Sequence, residues 1–199
     1  MSTSERYHHG DLRRALIAAA LRLIDREGPE SLTLRRLASN VGVTHAAVYR
    51  HFKDKQALLN ALAVEGMAGL RDAMRARLAG ESDPVAAFQA FCGGYATYAI
   101  AHPAHFRVMF GTSGGEGPLG DAREEMLGML IAGVEACQRA GAVAPGPPEP
   151  LAVAAWSLVH GLAMLTIDGA LGHVSLPSSD PRAVADLALA RLLARPAGR

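Results

Sequence analysis

The stretch Ser31–Leu62, SLTLRRLASN VGVTHAAVYR HFKDKQALLN AL, decides the fold. Leu34, Leu37 and Ala38 recur at i, i+3 and i+4, one apolar face of a short helix. Asn40-Val41-Gly42 breaks that pattern, and Gly42 supplies the permissive backbone of a tight turn. Thr44 is a good N-cap for a second short helix. Val43 and Val48 stand at the two positions of a hydrophobic staple, which fixes how the chain enters that helix. Asp54 is placed to cap a third helix. The pattern is helix, tight turn, helix, long helix.

The middle helix, Thr44 to His51, is too short to be stable alone. Val48 and the following Phe52 are its core anchors. His45, Ala46, Tyr49, Arg50 and His51 fall mostly on the outer side. An exposed helix with few anchors and several aromatic or basic side chains suits the DNA major groove. Residues near its N-terminus read base edges there, while Tyr, His and Lys hold phosphates.

These residues resemble the DNA-binding domain of the TetR family of bacterial transcription regulators. The features that carry the resemblance are Gly28, Leu32-Thr33, Leu37-Ala38, Val41-Gly42-Val43, the Tyr49-Arg50-His51-Phe52 block, and Lys55 with Leu58-Leu59. They span about residues 10 to 66. Residue by residue, the resemblance implies that Thr33 and Arg35 touch phosphate, with Arg35 also within reach of a base. It implies that Thr44, His45 and Ala46 face base edges, and that Tyr49, His51 and Lys55 hold phosphates. Lys55 would act from a helix N-terminus, whose dipole helps. His45 and Ala46 stand where sequence preference is set, so no operator sequence is implied.

The 199-residue chain is half hydrophobic, rich in alanine and leucine and poor in aromatics, which favours helices and allows a sizeable core. Residues 1–60 carry ten Lys or Arg against six Asp or Glu; residues 61–199 carry ten against thirteen. A basic head on a slightly acidic body fits phosphate binding at one end. Cys92 and Cys137 read as small core hydrophobes in a reduced, cytoplasmic protein without a signal peptide. No charge-free apolar run is expected to reach the ~18 residues of a membrane span.

Taken in order, residues 1–6 are expected to be disordered, and Arg6, Arg13 and Arg14 either add phosphate contacts in or near a minor groove or form a solvated tail. Helix 1 is expected over Asp11–Glu27, ended by Gly28-Pro29. Helix 2 covers Thr33–Asn40, helix 3 Thr44–His51, and helix 4 runs from Asp54 to about Ala79. Asp83-Pro84 opens helix 5, to about Ala101, and His102-Pro103 opens a short helix 6 ending near Phe110. Gly111–Gly117 is a glycine-rich loop expected to be mobile; it has neither phosphate-loop nor nucleophile-elbow spacing. Helix 7 ends near Gly141. A stiff proline loop covers 145–150, helix 8 runs from Leu151 to Leu171, and helix 9 from Asp180-Pro181 to Ala194.

The sequence therefore predicts an all-α chain of about nine helices. A three-helix helix-turn-helix DNA-binding domain (1–55) is joined by a long helix to a C-terminal ligand-binding and dimerisation domain (56–199). Within helix 8, Trp156 and His160 are i, i+4, and Trp156-x-x-x-His160-Gly161 resembles the C-terminal domain of a TetR subgroup. Leu151, Ala155, Leu158, Leu162 and Leu165 share one face of helix 8; Val184, Leu187, Ala188 and Leu192 share one of helix 9. One side of each would pack inside the subunit and another against a second copy. The resemblance implies a homodimer through helices 8 and 9, and two half-sites about one DNA turn apart (~34–36 Å) would offset the weak grip of one short helix.

Phe88, Phe91, Tyr95, Tyr98, Phe106 and Phe110 are six of the ten aromatics, with Met109, Met126, Met129, Trp156 and Met164 nearby in sequence order. Such side chains fill ordinary cores and also make adaptable binding surfaces. The resemblance favours a pocket formed by Phe91, Tyr95, Tyr98, Phe106, Met109, Phe110, Met126, Met129, Trp156, His160 and Met164. His160 reads equally as a satisfied core histidine. His102 and His105 are i, i+3, but nothing completes a metal set, so no metal and no cofactor is expected. The function expected is a ligand-responsive, DNA-binding transcriptional regulator that is not an enzyme. It would be a cytoplasmic repressor released from double-stranded operator DNA by a small hydrophobic effector, without membrane attachment. The alternative is a helical carrier or enzyme whose first helices are only structural, although no catalytic constellation is present to support it.

Overall fold

In the computed structural model, residues 9–111, 117–176, 178 and 180–193 are described. The expectations for residues 1–6, including Arg6, and for most of the 111–117 loop lie outside them. The described residues form nine α-helices and one short 3₁₀ turn. The helices are α1 (His9–Glu27), α2 (Leu34–Val41), α3 (His45–Tyr49), α4 (Lys55–Arg77), α5 (Pro84–Ala101), α6 (Pro103–Gly111), α7 (Pro118–Arg139), α8 (Pro148–Ile167) and α9 (Pro181–Leu193). They divide into two compact units, with the boundary inside α4 between Gly66 and Met67.

The first unit holds α1, α2, α3, the first half of α4, and α6. Its core is Leu16, Leu23, Ile24, Leu32, Leu37, Val48, Leu58 and Leu62, all fully buried. Local chemistry ends and starts each short element. Gly42 takes the left-handed conformation (φ 75°) and its N–H reaches Ala38 O at 3.0 Å, which closes α2. Thr33 Oγ1 accepts from Arg36 N at 3.1 Å, Thr44 Oγ1 from Ala47 N at 3.3 Å, and Asp54 Oδ1 from Ala57 N at 2.7 Å. A 3₁₀ turn, Pro29–Ser31, fills the link between α1 and α2. α6 packs on α1 and on this turn. Its Phe106 and Met109 are fully buried. Gly66 lets α6 come close, since a Cβ there would stand 2.6 Å from Met109 Sδ.

The second unit holds the rest of α4 with α5, α7, α8 and α9. α5 is buried over most of its circumference, through Phe88, Phe91, Cys92, Tyr95, Tyr98 and Ala99, and packs on α7, α8 and α9. Gly94 brings it against α4 backbone: a Cβ there would lie 2.9 Å from Met74 Cα. Arg71 and Arg75 on α4 both bond Glu125 on α7, at 3.3 and 3.0 Å. Both cysteines are free and buried, and burial pushes the Cys92 thiol up to about 12.

Most boundaries fall within two residues of the sequence reading; those of α8 and the end of α3 differ for identifiable reasons. α8 starts at Pro148 rather than Leu151. First-turn N–H groups have no helical partner, so Pro148 and Pro150 cost nothing there, and Glu149 suits the dipole. It stops at Ile167, where Asp168 and left-handed Gly169 (φ 69°) end it before Leu171. α3 has five residues, with Arg50 and His51 in the turn that follows. A further correction concerns apolar length. Pro150–Ile167 carries no charge, and α8 is long and apolar enough to cross a membrane, with mean hydropathy 1.6. It packs against α5, α7 and α9 within its unit. Only 22 % of its apolar window is buried within one chain.

Candidate nucleic-acid interface and effector pocket

The head unit carries the expected DNA-contact side chains at the starts of α2, α3 and α4, at the end of α3 (Tyr49) and in the turn after it (His51). Thr33 and Thr44 are exposed N-caps of α2 and α3. As caps their oxygens accept from backbone, which leaves each hydroxyl proton available to a phosphate. Arg35, His45 and Ala46 are exposed, and Tyr49 is 57 % exposed, unusual for a tyrosine with no need to be wet. His51 and Lys55 are half-buried. Lys55 Nζ donates to Glu30 O at 3.4 Å, a weak bond that ties α4 to the 3₁₀ turn. Arg36, next to Arg35, is instead paired with Glu27 at 2.6 Å. Val48 alone in α3 is buried, so this helix is held by its cap and one anchor and gives its other faces to the outside.

The eleven expected pocket residues do not all come together in one unit. Phe106, Met109 and Phe110 lie on α6 in the head unit, where the Phe106 and Phe110 rings meet edge-on at 4.9 Å. The other eight lie in the body unit. There Tyr98 packs on Gly69 of α4, where a Cβ would stand 2.6 Å from the phenol oxygen, and its ring meets His102 at 4.4 Å. Phe91 and Met126 are buried, while Met129, Trp156, His160 and Met164 are half-buried.

One polar chain joins α5 to α8. Trp156 Nε1–H donates to Tyr95 Oη at 3.2 Å, and Tyr95 Oη lies 2.7 Å from His160 Nδ1. Indole N–H only donates, so the tyrosine oxygen accepts from it and its own proton is assigned to Nδ1. That assignment makes His160 neutral with its proton on Nε2. Burial agrees with it, lowering the His160 pKa from its ordinary 6.5 and raising that of Tyr95, against which the Trp156 hydrogen bond works. Sequence spacing placed Trp156 and His160 on one face; nothing local pointed to Tyr95 as the third member.

Among the described residues, grooves open on the surface of each unit. One of about 430 Å³ lies in the head unit, bordered by Glu30, Lys55, Leu59 and Arg107. The other, of about 480 Å³, lies in the body unit beside Leu162, Thr166, Val174 and Leu176. Of the expected site residues, only Lys55 borders either. Among the described residues no group of three metal-ligating side chains converges.

A capped, outward-facing short helix after a glycine turn, followed by a helical body, defines the helix-turn-helix architecture of transcription regulators. Comparison with known proteins makes this specific. Residues 16–62 match the family described as bacterial regulatory proteins, tetR family, and residues 88–192 match the tetracyclin repressor-like C-terminal domain. The chain belongs to the TetR family. The tetracycline repressor protein class C of Escherichia coli is 55 % identical over 51 residues, 26 % of this chain and 23 % of that one. The chain spans about a quarter of the length of the curated relatives it matches. A Rhodococcus sp. RHA1 protein of unknown function is 33 % identical, with 96 % of this chain and 97 % of that chain covered and a TM-score of 0.81. AibR, solved with isovaleryl coenzyme A and operator DNA, shares the fold at 19 % identity, covering 91 % of this chain and 97 % of AibR with a TM-score of 0.70.

Proposed function

We propose that this protein is a cytoplasmic, homodimeric, ligand-responsive repressor that leaves its operator when a small hydrophobic effector binds. The observation that carries the DNA half is the capped five-residue α3, whose His45, Ala46 and Tyr49 face outward inside the segment that matches the tetR family. Thr44, His45 and Ala46 read base edges. Thr33, Arg35, Tyr49, His51 and Lys55 hold phosphates. Family membership points to a regulator and not to a catalyst.

Support for the dimer comes from α8 and α9. Their buried faces use Ala152, Ala155, Val159 and Ala163, and Ala185, Leu189 and Leu193. That leaves Val153, Leu165 and Leu187 nearly half exposed, with Leu158, Leu162, Val184 and Leu192 partly so. Gly161 lies on the uncovered side, and a Cβ there would meet nothing of its own chain within 4 Å. A large apolar surface of this kind marks an interface, and a second copy burying it would also explain a glycine that its own chain does not require. In the body, Phe91, Tyr95, Met126, Met129, Trp156, His160 and Met164 are the effector contacts we favour, apolar with a hydrogen-bonding edge. α4 belongs to both units, which supports it as the element whose tilt couples effector to head. An effector shifts that equilibrium only by the difference in its affinity for the two states.

The test is fluorescence anisotropy with DNA from upstream of this protein's own gene, at two salt concentrations. Specific, salt-dependent binding is expected, with Tyr49→Ala weakening binding to all sequences and His45→Ala mainly changing sequence preference. Equal loss on operator and scrambled DNA for His45→Ala would count against its base-reading role. An effector that binds tightly but leaves DNA affinity unchanged would refute the switch.

A further inference from the structure

Arg13 stands on the exposed side of α1. Its guanidinium carbon lies 5.4 Å from the centre of the Phe52 ring. Phe52 is 3 % exposed and its N–H reaches Val48 O at 3.0 Å, so the head core fixes the ring. An arginine over an aromatic face is attracted by the ring quadrupole and gives up rotamer freedom to stay there. Phe52 directly follows His51 and lies three residues past Tyr49, the last residue of α3. A cation from α1 is thereby pinned to the C-terminal end of the recognition helix, beside the segment that carries Tyr49, Arg50, His51 and Lys53.

Among the described residues, no carboxylate pairs with Arg13. Arg36 shows the contrast: its charge is taken up by Glu27 at 2.6 Å. A charge that is held in place, exposed and met by no carboxylate among the described residues suits a polyanion. Its ordering cost falls on the free protein, so less is lost on association.

We propose that Arg13 is a DNA-backbone contact, pre-positioned by Phe52, which takes a phosphate at the edge of the groove that α3 enters. The inference rests on the DNA-binding reading above. Of the two sequence readings of Arg13, phosphate contact or solvated tail, it takes the first, and it moves the contact from the minor groove to the edge of the groove that α3 enters, with Phe52 as the device that holds the side chain there. Arg13 reads no base, so it strengthens binding to every sequence alike.

The informative variant is Arg13→Gln, which keeps a flat end over Phe52 but removes the charge. Binding of the full chain is measured by fluorescence anisotropy at three salt concentrations. The two duplexes are one selected from random DNA and a scrambled version of it. Affinity is expected to fall about fivefold or more on both. The slope of log affinity against log salt should shrink by about one per bound protomer. Arg13→Lys should restore the slope but only part of the affinity, since it keeps the charge without the stacked plane. Phe52→Leu should weaken binding with the slope nearly whole. Because Phe52 is buried and its loss risks the fold, the inference stands or falls on Arg13→Gln. A wild type that binds while Arg13→Gln keeps the full slope, whatever its melting temperature, overturns the inference. So does a loss confined to the selected duplex. A wild type that binds neither duplex overturns the DNA-binding reading itself, and this contact with it.

Discussion

Replacing Tyr95 by phenylalanine would remove one oxygen that α8 uses twice. The ring would stay where it is, 1 % exposed in the core of the body unit. The bond from Trp156 Nε1 at 3.2 Å and the bond to His160 Nδ1 at 2.7 Å would both go. At about 1 kcal/mol net for each hydrogen bond, the cost is about 2 kcal/mol. For a chain of this length that corresponds to a fall of about 4–8 °C in melting temperature. Thermal unfolding followed by circular dichroism at fixed protein concentration measures it. A double-mutant cycle with Trp156→Phe should give a coupling of about 1 kcal/mol. The effect also has a pH signature. Burial holds the His160 pKa below its ordinary 6.5, so the unfolded chain takes up this proton at a higher pH than the folded one. Stability from the neutral imidazole is therefore complete above about 6.5 and declines as pH falls towards the folded value. Without the phenol proton on Nδ1 the folded pKa rises, so the gap between wild type and Tyr95→Phe should narrow from pH 7.5 to 5.5. A Tyr95→Phe protein that melts within about 1 °C of wild type at pH 7.5 would refute the assigned chain of bonds.

Two further tests probe packing and assembly. Gly94→Ala would set a Cβ 2.9 Å from Met74 Cα and 3.1 Å from Ala73 O, backbone that cannot step aside, and should cost roughly 1–3 kcal/mol by urea titration. Gly128→Ala in α7 meets nothing within 4 Å and should instead stabilise by about 0.4–1 kcal/mol; equal signs for the pair would show that local space does not decide these glycines. A Cβ at Gly161 meets nothing of its own chain within 4 Å, so Gly161→Leu starts into open space; its far-ultraviolet spectrum should match wild type while light scattering shows loss of the dimer. A Gly161→Leu dimer as tight as wild type would move the interface away from this side of α8.

Much of the head was legible because its signals are local. The Thr33 and Thr44 caps, the Gly42 turn and the Val48 and Phe52 anchors each act within four residues, and the structure has all of them. The reach of α8 was misread at both ends: prolines that read as a loop are harmless in a first helical turn, and left-handed Gly169 stops the helix before the apolar pattern ends at Leu171. What the sequence could not give was partnership across distance. Phe106 and Phe110 share the aromatic run of Tyr95 and Tyr98, yet α6 belongs to the head unit, with Met109 seated where Gly66 leaves space. Tyr95 and His160 are 65 positions apart, and only the α5–α8 contact makes them one network. A shared window of composition says which side chains are adaptable, not which of them meet.

The length of α3 bears on how much a single head can know. Five residues, His45–Tyr49, make about a turn and a half, and in the proposed reading only the first of them, with Thr44, sit at the end that faces base edges. Three or four side chains specify about four base pairs, a word that recurs by chance roughly every 250 base pairs. In a genome of about a million base pairs or more, one head would find its word thousands of times over. Two copies at a fixed separation add their word lengths to about eight base pairs, so chance recurrence drops to about once in 65,000 base pairs. In the proposed dimer the address would be written less in the helix that touches the bases than in the distance at which the body holds two such helices apart.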